Sequence, residues 1–427
     1  MYTNLYGGTI MINQANTLFV FLASVLVFFM TPGLAFFYGG MVSKKNVVNT
    51  MISVFMITGL AIILFIAFGY NLAFGKDVAG ILGLSKSFFL NGFDLKAIYS
   101  KETGITLLTY LMFQMMFSII TPALFVGAIV GRMNFKFLIV FVVIWSTLIY
   151  YPMVHMVWTP SGILAKTGVL DFAGGTVVHI NAGITALILS VFVGPRIGFD
   201  SKSEIKHYNL PWVLLGTSIL WIGWYGFNVG SALTISDVAT QAFLTTTVAT
   251  GTSFVVWMFL DMFIKGKTTM IGLCTGALCG LVGITPAAGY VTVAGAFAIG
   301  AICTLASYSF IHFVKPKIKL DDPLDAFGCH GISGIVGSLL TGLFATKIVN
   351  SHIENGLFYG GGFHLINAQL IGTIFTIGFV GIATSMIVFL LKKIIPIRVT
   401  REDELMGLDL AEHGERADYG VDFDLEK

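Results

Sequence analysis

Long apolar runs separated by short polar breaks dominate this chain. A run of about 20 apolar residues can cross a hydrocarbon layer of ~30 Å as a helix. Eleven such stretches are read at residues 17–38, 47–74, 104–131, 137–157, 173–195, 210–231, 237–263, 269–288, 292–314, 325–346 and 366–394. The break at Ala287-Ala288-Gly289-Tyr290 is short and uncharged, so the eighth and ninth runs nearly merge. The pattern predicts an all-α polytopic membrane protein with eleven transmembrane helices.

Composition agrees. Of the 427 residues, 56% are hydrophobic and 11% charged, against about 25% charged in soluble domains. A net charge of +2, spread mainly through the breaks, gives no nucleic-acid signature. Glycine is abundant at 49 residues, as suits close helix packing in membranes. Cys274, Cys279, Cys303 and Cys329 all fall in apolar runs without metal or disulfide spacing, and read as small buried hydrophobes. No Lys or Arg precedes Lys44, so no signal peptide is read.

Charge sets the expected orientation. Alternate breaks, starting with the first, hold twelve basic residues: Lys44, Lys45, Arg132, Lys136, Arg196, Lys202, Lys206, Lys265, Lys267, Lys315, Lys317 and Lys319. The opposite breaks hold six: Lys76, Lys86, Lys96, Lys101, Lys166 and Lys347. The positive-inside rule places the N-terminus outside and the C-terminus in the cytoplasm.

A motif recurs. Asp171-Phe172-Ala173-Gly174-Gly175-Thr176-Val177-Val178-His179 is matched by Asp322-Pro323-Leu324-Asp325-Ala326-Phe327-Gly328-Cys329-His330. Each aspartate precedes its histidine by eight residues, and a glycine follows each histidine by four (Gly183, Gly334). One copy lies in the fifth span and one in the tenth. Five spans per copy is odd, so the second copy enters the membrane upside down, with a site near the midplane. The expected organisation is a membrane part over 1–396, with repeat one at about 17–195 and repeat two at about 210–346. The last helix, about 366–394, packs around the pair. Residues 397–427 form a polar cytoplasmic tail, for which composition alone gives disorder about even odds.

Titratable groups inside a membrane mark function by default. That singles out His179 and His330. The other six histidines receive no role; His155, near the end of the fourth span, reads as a packing residue. Aromatic residues gather near predicted outer ends: Phe113 and Phe117 in the third span, Trp158 after the fourth, and Trp224 to Ser231 closing the sixth, with Phe227 between. Singly, each fits an interfacial belt. Jointly they suit an aromatic cage for a small cation, with Ser231 as acceptor, each cation–π contact contributing ~0.5–2 kcal/mol. Asp171, Asp322 and Asp325 read as caps at helix starts. Asn181 and Gln114 read as interhelical hydrogen-bonders. A bis-histidine haem site is the competing reading of the two histidines, though it leaves the aromatics unexplained.

At these residues the chain resembles the ammonium transporter (Amt/Mep/Rh) family, its Amt branch in particular. The resemblance lies in Asp171 through Gly174, Gly175 and His179 to Asn181 and Gly183, in Trp224 to Ser231, in Asp322 to Gly334, and in Gly407-Leu408-Asp409 with His413-Gly414-Glu415. One departure is Trp158-Thr159-Pro160-Ser161-Gly162, where a glycine-rich run is expected. The resemblance implies a homotrimer in the cell membrane, one pore per subunit, no cofactor and no enzymatic activity. It implies recruitment of ammonium, or its analogue methylammonium, by Trp158, Phe117, Ser231 and Phe113, and a gate of Phe117 and Phe227. His179 and His330 would be a hydrogen-bonded pore pair, Asp171 and Trp224 structural supports. The tail and cytoplasmic loops would bind a PII-type (GlnK) signal protein. A sensor working through a partner is the alternative; the usual clue, an appended signalling domain, does not fit in the roughly 30 residues after the last span.

Desolvation explains how such a pore selects. A charged side chain at the bilayer centre costs about 3 to 17 kcal/mol depending on method. Ammonium, with an amine-like pKa, sheds its proton at neutral pH for roughly 3–4 kcal/mol. Potassium has no such route, and histidine is a natural proton acceptor near neutrality.

Overall fold

The computed structural model describes residues 2–3, 9–10, 12–84, 87–199 and 207–418. Lys86, Lys202, Lys206 and the end of the tail, 419–427, lie outside the described residues. Among the described residues, ten helices are long and apolar enough to cross a membrane. In chain order the helices are α1 (Gln14–Met41), α2 (Lys44–Phe74), α3 (Leu107–Ala128), α4 (135–158), α5 (Gly175–Val193), α6 (Leu210–Val229) and α7 (Asp237–Lys265). There follow α8 (Met270–Ile284), α9 (Val293–Val314), α10 (Phe327–Phe344) and α11 (His364–Leu391). The eighth expected span, 269–288, is the short one: α8 has 15 residues. Two antiparallel strand pairs, β1 (Tyr2–Thr3) with β2 (Thr9–Ile10) and β3 (Lys76–Val78) with β4 (Leu82–Leu84), precede α1 and follow α2 in the chain.

Local sequence starts these helices. Asn13, Thr106, Asn134, Asn209, Ser236, Thr269 and Thr292 each precede a helix and accept a backbone N–H with their side chains. That satisfies donors which lipid would leave unpaired. Outward-facing Phe21, Phe29, Phe55, Ile63, Ile222 and Phe263 are exposed, a surface suited to a hydrocarbon solvent.

The repeated motifs meet at the centre. A Cβ on Gly183 of α5 would lie 2.3 Å from the Gly331 Cα and 3.1 Å from the His330 carbonyl carbon. A Cβ on Gly334 of α10 would lie 3.2 Å from the His179 Cβ and from the Ile180 nitrogen. Each glycine therefore faces the other copy's histidine, which requires α5 and α10 to cross antiparallel. Both begin with a π turn, Gly175–Ile180 and Phe327–Ile332, and further π turns interrupt α2 and α4 and close α6 and α9. Hydropathy carries no signal for these wider turns.

α11 lies against both motif helices. Gln369 accepts from the Leu170 N–H at 2.7 Å and donates to the carbonyls of Leu170 and Ser338 at 2.9 and 3.0 Å.

The tail is folded through residue 418, so the disordered alternative fails there. Helices α12 (Arg401–Met406) and α13 (Leu408–His413) follow a capping box at Thr400. Glu404 binds Arg398 at 2.7 Å and accepts from the Ile197 N–H at 2.7 Å. Asp409 accepts from the Asn49 N–H at 2.8 Å, and Lys45 donates to the carbonyls of Glu404 and Leu405. Composition missed this because the tail docks through polar groups. Beneath it, Arg132 is fully buried, its guanidinium donating to the carbonyls of Ala128, Val130, Gly194 and Asp321.

The crossing makes a direct prediction. Gly183→Val must move backbone rather than a side-chain tip, and loses about 1–3 kcal/mol or more. Gly59→Ala, where an added Cβ meets nothing within 4 Å, is neutral or gains up to about 1 kcal/mol. Thermal unfolding in detergent compares the two; equal melting would remove the close crossing.

Candidate functional site

A file of rings runs inward from the end of α4. Trp158, half-buried, anchors its indole N–H on the Asp171 carbonyl at 3.1 Å. Phe117 meets Trp158 edge-on at 5.6 Å between centroids. Phe113, one turn earlier on α3, contacts Phe117 at 4.9 Å. Phe117 and Phe227 lie 4.4 Å apart with planes inclined by 40°. They form a tilted contact rather than a flat stack. Phe227 contacts His179 at 5.8 Å, and His179 lies 5.3 Å from His330 with planes only 9° apart. The sequence-derived site residues are thus brought together, apart from Ser231, which the contacts place beside the file. A Cβ on the adjoining Gly230 would come within 3.0 Å of Phe113, and the Ser231 hydroxyl donates to the Phe227 carbonyl at 2.8 Å.

The inner part of this file is dry. Phe117 and Phe227 are 1% and 0% exposed, His179 and His330 1% and 3%. Trp224 covers the other face of His179 at 5.2 Å and 14°. Its own N–H donates to the Thr285 hydroxyl at 2.9 Å, which fixes the indole. Thr285 had no sequence signal; it sits in an apolar stretch among many threonines.

Three expectations need correction. Neither ring nitrogen of His179 has a hydrogen-bond partner, so the histidines are not bonded to each other. Their planes are near-parallel, and Trp224 packs on His179. Asn181 and Gln114 are not interhelical: the Asn181 amide donates to the Val177 carbonyl and the Gln114 amide to the Tyr110 hydroxyl, each one turn back on its own helix. Both amide N–H groups close locally, as short-range geometry permits, while the Asn181 side-chain oxygen is buried without a partner. Asp325 is not a cap. Its backbone is left-handed (φ 55°) and its carboxylate pairs with Lys315.

Asp171 and Asp322 do cap. Asp171 accepts the N–H groups of Gly174, Thr176 and Val177 at 3.0, 3.0 and 3.1 Å. Asp322 accepts those of Ala326 and Phe327 at 3.0 and 2.8 Å. Gly174 (φ 121°) passes under Trp158, where a Cβ would sit 3.4 Å from the indole. Asp171 therefore holds both the start of α5 and, through its carbonyl, the tryptophan.

His155 is buried and tied on both sides, Nδ1 to the Ala73 carbonyl and Nε2 to the Asp77 carboxylate, each at 2.9 Å. The imidazole contact is the main reason the exposed Asp77 carboxyl falls below its usual range. The atypical Thr159-Pro160-Ser161-Gly162 segment folds back on the end of α4, with the Thr159 hydroxyl donating to the His155 carbonyl at 2.7 Å.

Haem does not fit here. A flat macrocycle with two axial imidazoles must fit between the rings, whereas the His179 and His330 ring centroids are only 5.3 Å apart and Trp224 and Phe227 pack against His179. Among the described residues no group of three or more His, Cys, Asp or Glu side chains is placed to hold a metal ion.

Residues 18–418 match the family model described as Ammonium Transporter Family. An ammonium transporter of Aquifex aeolicus is 43% identical over 96% of this chain and 95% of its own length. One from Bacillus subtilis is 42% identical over 95% and 98%. Among solved structures, Candida albicans Mep2 superposes with a TM-score of 0.86 at 32% identity, over 97% of this chain and 93% of that one. A structure titled Sensor Amt Protein has a TM-score of 0.86 at 30% identity, over 93% and 98%.

The cap at Asp171 can be tested apart from any function. Asp171→Ala orphans buried N–H donors and is expected to cost at least about 1–3 kcal/mol, the penalty for a single unsatisfied group. Asp171→Asn keeps one acceptor oxygen and should lose less. Thermal unfolding of both variants checks the order.

Proposed function

The chain belongs to the ammonium transporter family and is a multi-pass protein of the cell membrane, and on that premise we propose a route and a chemistry for ammonium uptake through it. The observation that carries the reading is the dry file from Trp158 to His330, closed at Phe117 and Phe227.

Ammonium arrives from outside and is held over Trp158 and Phe117, with Phe113 beside them and Ser231 as acceptor. Cation–π attraction offsets part of its lost hydration. The Phe117–Phe227 contact excludes water, so the cation is costly beyond it and neutral ammonia is not. The proton leaves to an acceptor at or above the gate, and ammonia passes through as Phe117 and Phe227 part. His179 and His330 line the route. Their free ring nitrogens, Nδ1 and Nε2 on His179 and Nδ1 on His330, accept an ammonia N–H or hold and relay the proton. Trp224 and Asp171 support this geometry without touching the proton. The charge crosses with the ammonia, though by a separate path, so transport is electrogenic. Methylammonium, one methyl larger, follows the same route.

The assembly is a lipid-embedded homotrimer with one pore per subunit. Its N-terminus is outside and its two five-helix halves are inverted, a reading supported by the antiparallel α5–α10 crossing. The docked tail and the basic loops beside it form the cytoplasmic face that a PII-type (GlnK) protein would cover. A second reading, an ammonium sensor acting through such a partner, draws on the likeness to the structure titled Sensor Amt Protein.

The test is electrical. Proteoliposomes on a solid-supported membrane receive an ammonium jump, with a potassium jump as control and a pH dye inside. A transient current for ammonium alone is expected. A pH change without current would replace electrogenic with electroneutral conduction, and neither signal would favour the sensor. His179→Ala and His330→Ala should each change ammonium flux or its selectivity over potassium by about tenfold, the weight of one pKa unit of proton affinity. Wild-type behaviour in both would remove the histidines from the route. Deleting residues 398–427 should abolish binding of a PII-type protein to the vesicles; undiminished binding would place that partner elsewhere.

A further inference from the structure

The two ends of the antiparallel pair share a frame and are furnished differently. In each copy the chain turns left-handed three residues after the capping aspartate, at Gly174 (φ 121°) and at Asp325 (φ 55°). In the first copy that position is a bare glycine with Trp158 over it. In the second it is a carboxylate, paired with Lys315. Lys315 follows the end of α9 directly, and its ammonium also donates to the Asp322 carbonyl at 3.2 Å. The Lys315 and Asp325 side chains are each 19% exposed. Phe310 and Phe327 meet edge-on at 5.0 Å beside them. The neighbouring Asp321 is engaged elsewhere, by Arg196 at 2.9 Å.

A primary ammonium is the side-chain group closest in chemistry to free ammonium, with N–H donors and one positive charge. The Asp325 carboxylate and Asp322 carbonyl are acceptors of the kind an ammonium ion would use. Lys315 already sits on them. Burial alone would lower its pKa, but Asp325 and Asp322 reverse the effect and hold it above the ordinary lysine value, so it stays charged. Tethering gives it an effective concentration in the ~mM range, and the salt bridge is shielded from solvent on most sides.

We propose that Lys315 is a tethered ammonium that fills the cation site of the cytoplasmic mouth, so that the pore accepts ammonium from outside more readily than from the cytoplasm. This rests on reading the molecule as an ammonium pore with the second motif facing inward. The outer mouth offers aromatic faces with no resident cation; the inner mouth offers a carboxylate already neutralised by the chain itself.

The test compares the two directions of flow. Vesicles of known protein orientation receive equal ammonium jumps on either face, with potassium as control. Wild-type protein is expected to carry the larger current inward. Lys315→Met should raise the outward current about fivefold, within the range that freeing a partly exposed charge site supplies. It should also lower the half-saturating cytoplasmic ammonium and leave inward current within about twofold. Lys315→Met combined with Asp325→Asn removes the site altogether and should return outward current towards the wild-type level. Equal wild-type currents in both directions would overturn the inference even if no variant folds. So would a Lys315→Met effect of the same factor in both directions, which a merely structural ion pair would produce. Where no current flows, the pH dye reports the two directions in its place; neither signal from wild-type protein would overturn the transport reading, and this inference with it.

Discussion

Everything at the centre depends on two backbones touching. α5 and α10 cross antiparallel where Gly183 lies against Gly331 and Gly334 against His179. In a bilayer, no hydrophobic force drives helix against helix, so association relies on close packing and on satisfied polar groups. The glycines supply the first. The aspartate caps supply the second, since each motif helix starts inside the protein with its leading N–H groups bound to a carboxylate. With that frame set, the two imidazoles have little choice of position, and the rings packed around them inherit the geometry.

The same frame explains why polar side chains can remain unpaired there. Unsatisfied nitrogens on His179 are costly in a dry core, and nothing in the fold relieves that cost. The surroundings do the opposite, since Trp224 and Phe227 exclude alternatives by packing on the ring. A side chain held in this way is a group kept ready for a polar visitor. Local polar residues that have no such duty, Asn181 and Gln114, close hydrogen bonds on their own helices instead.

Much of this was legible in the sequence. Spans stand out because lipid demands long apolar runs, and His179 and His330 stand out because such runs rarely tolerate a titratable group. The repeat of Asp, His and Gly at fixed intervals points to two matched helices. What could not be read depends on tertiary choices. The π turns have no hydropathy signature. Whether two histidines bond or only pack together depends on how their helices cross. Asp325 looks like a cap in sequence, and only the fold brings Lys315 to it. The tail reads as solvated because its anchors, Glu404 and Asp409, are charged, yet they bind backbone N–H groups in the loop after α5 and in the first turns of α2.

Gln369 has a consequence for assembly. Its amide joins the entry to α5 at Leu170 with Ser338 on α10, and it belongs to α11, which is made after both motif helices. Until α11 has inserted, the Leu170 N–H lacks this acceptor, and an unpaired backbone group inside a membrane is costly. The two halves can meet earlier, but they become fastened to each other only when α11 arrives. The clasp therefore follows both motif helices, and a chain stalled before residue 369 holds a paired but open core.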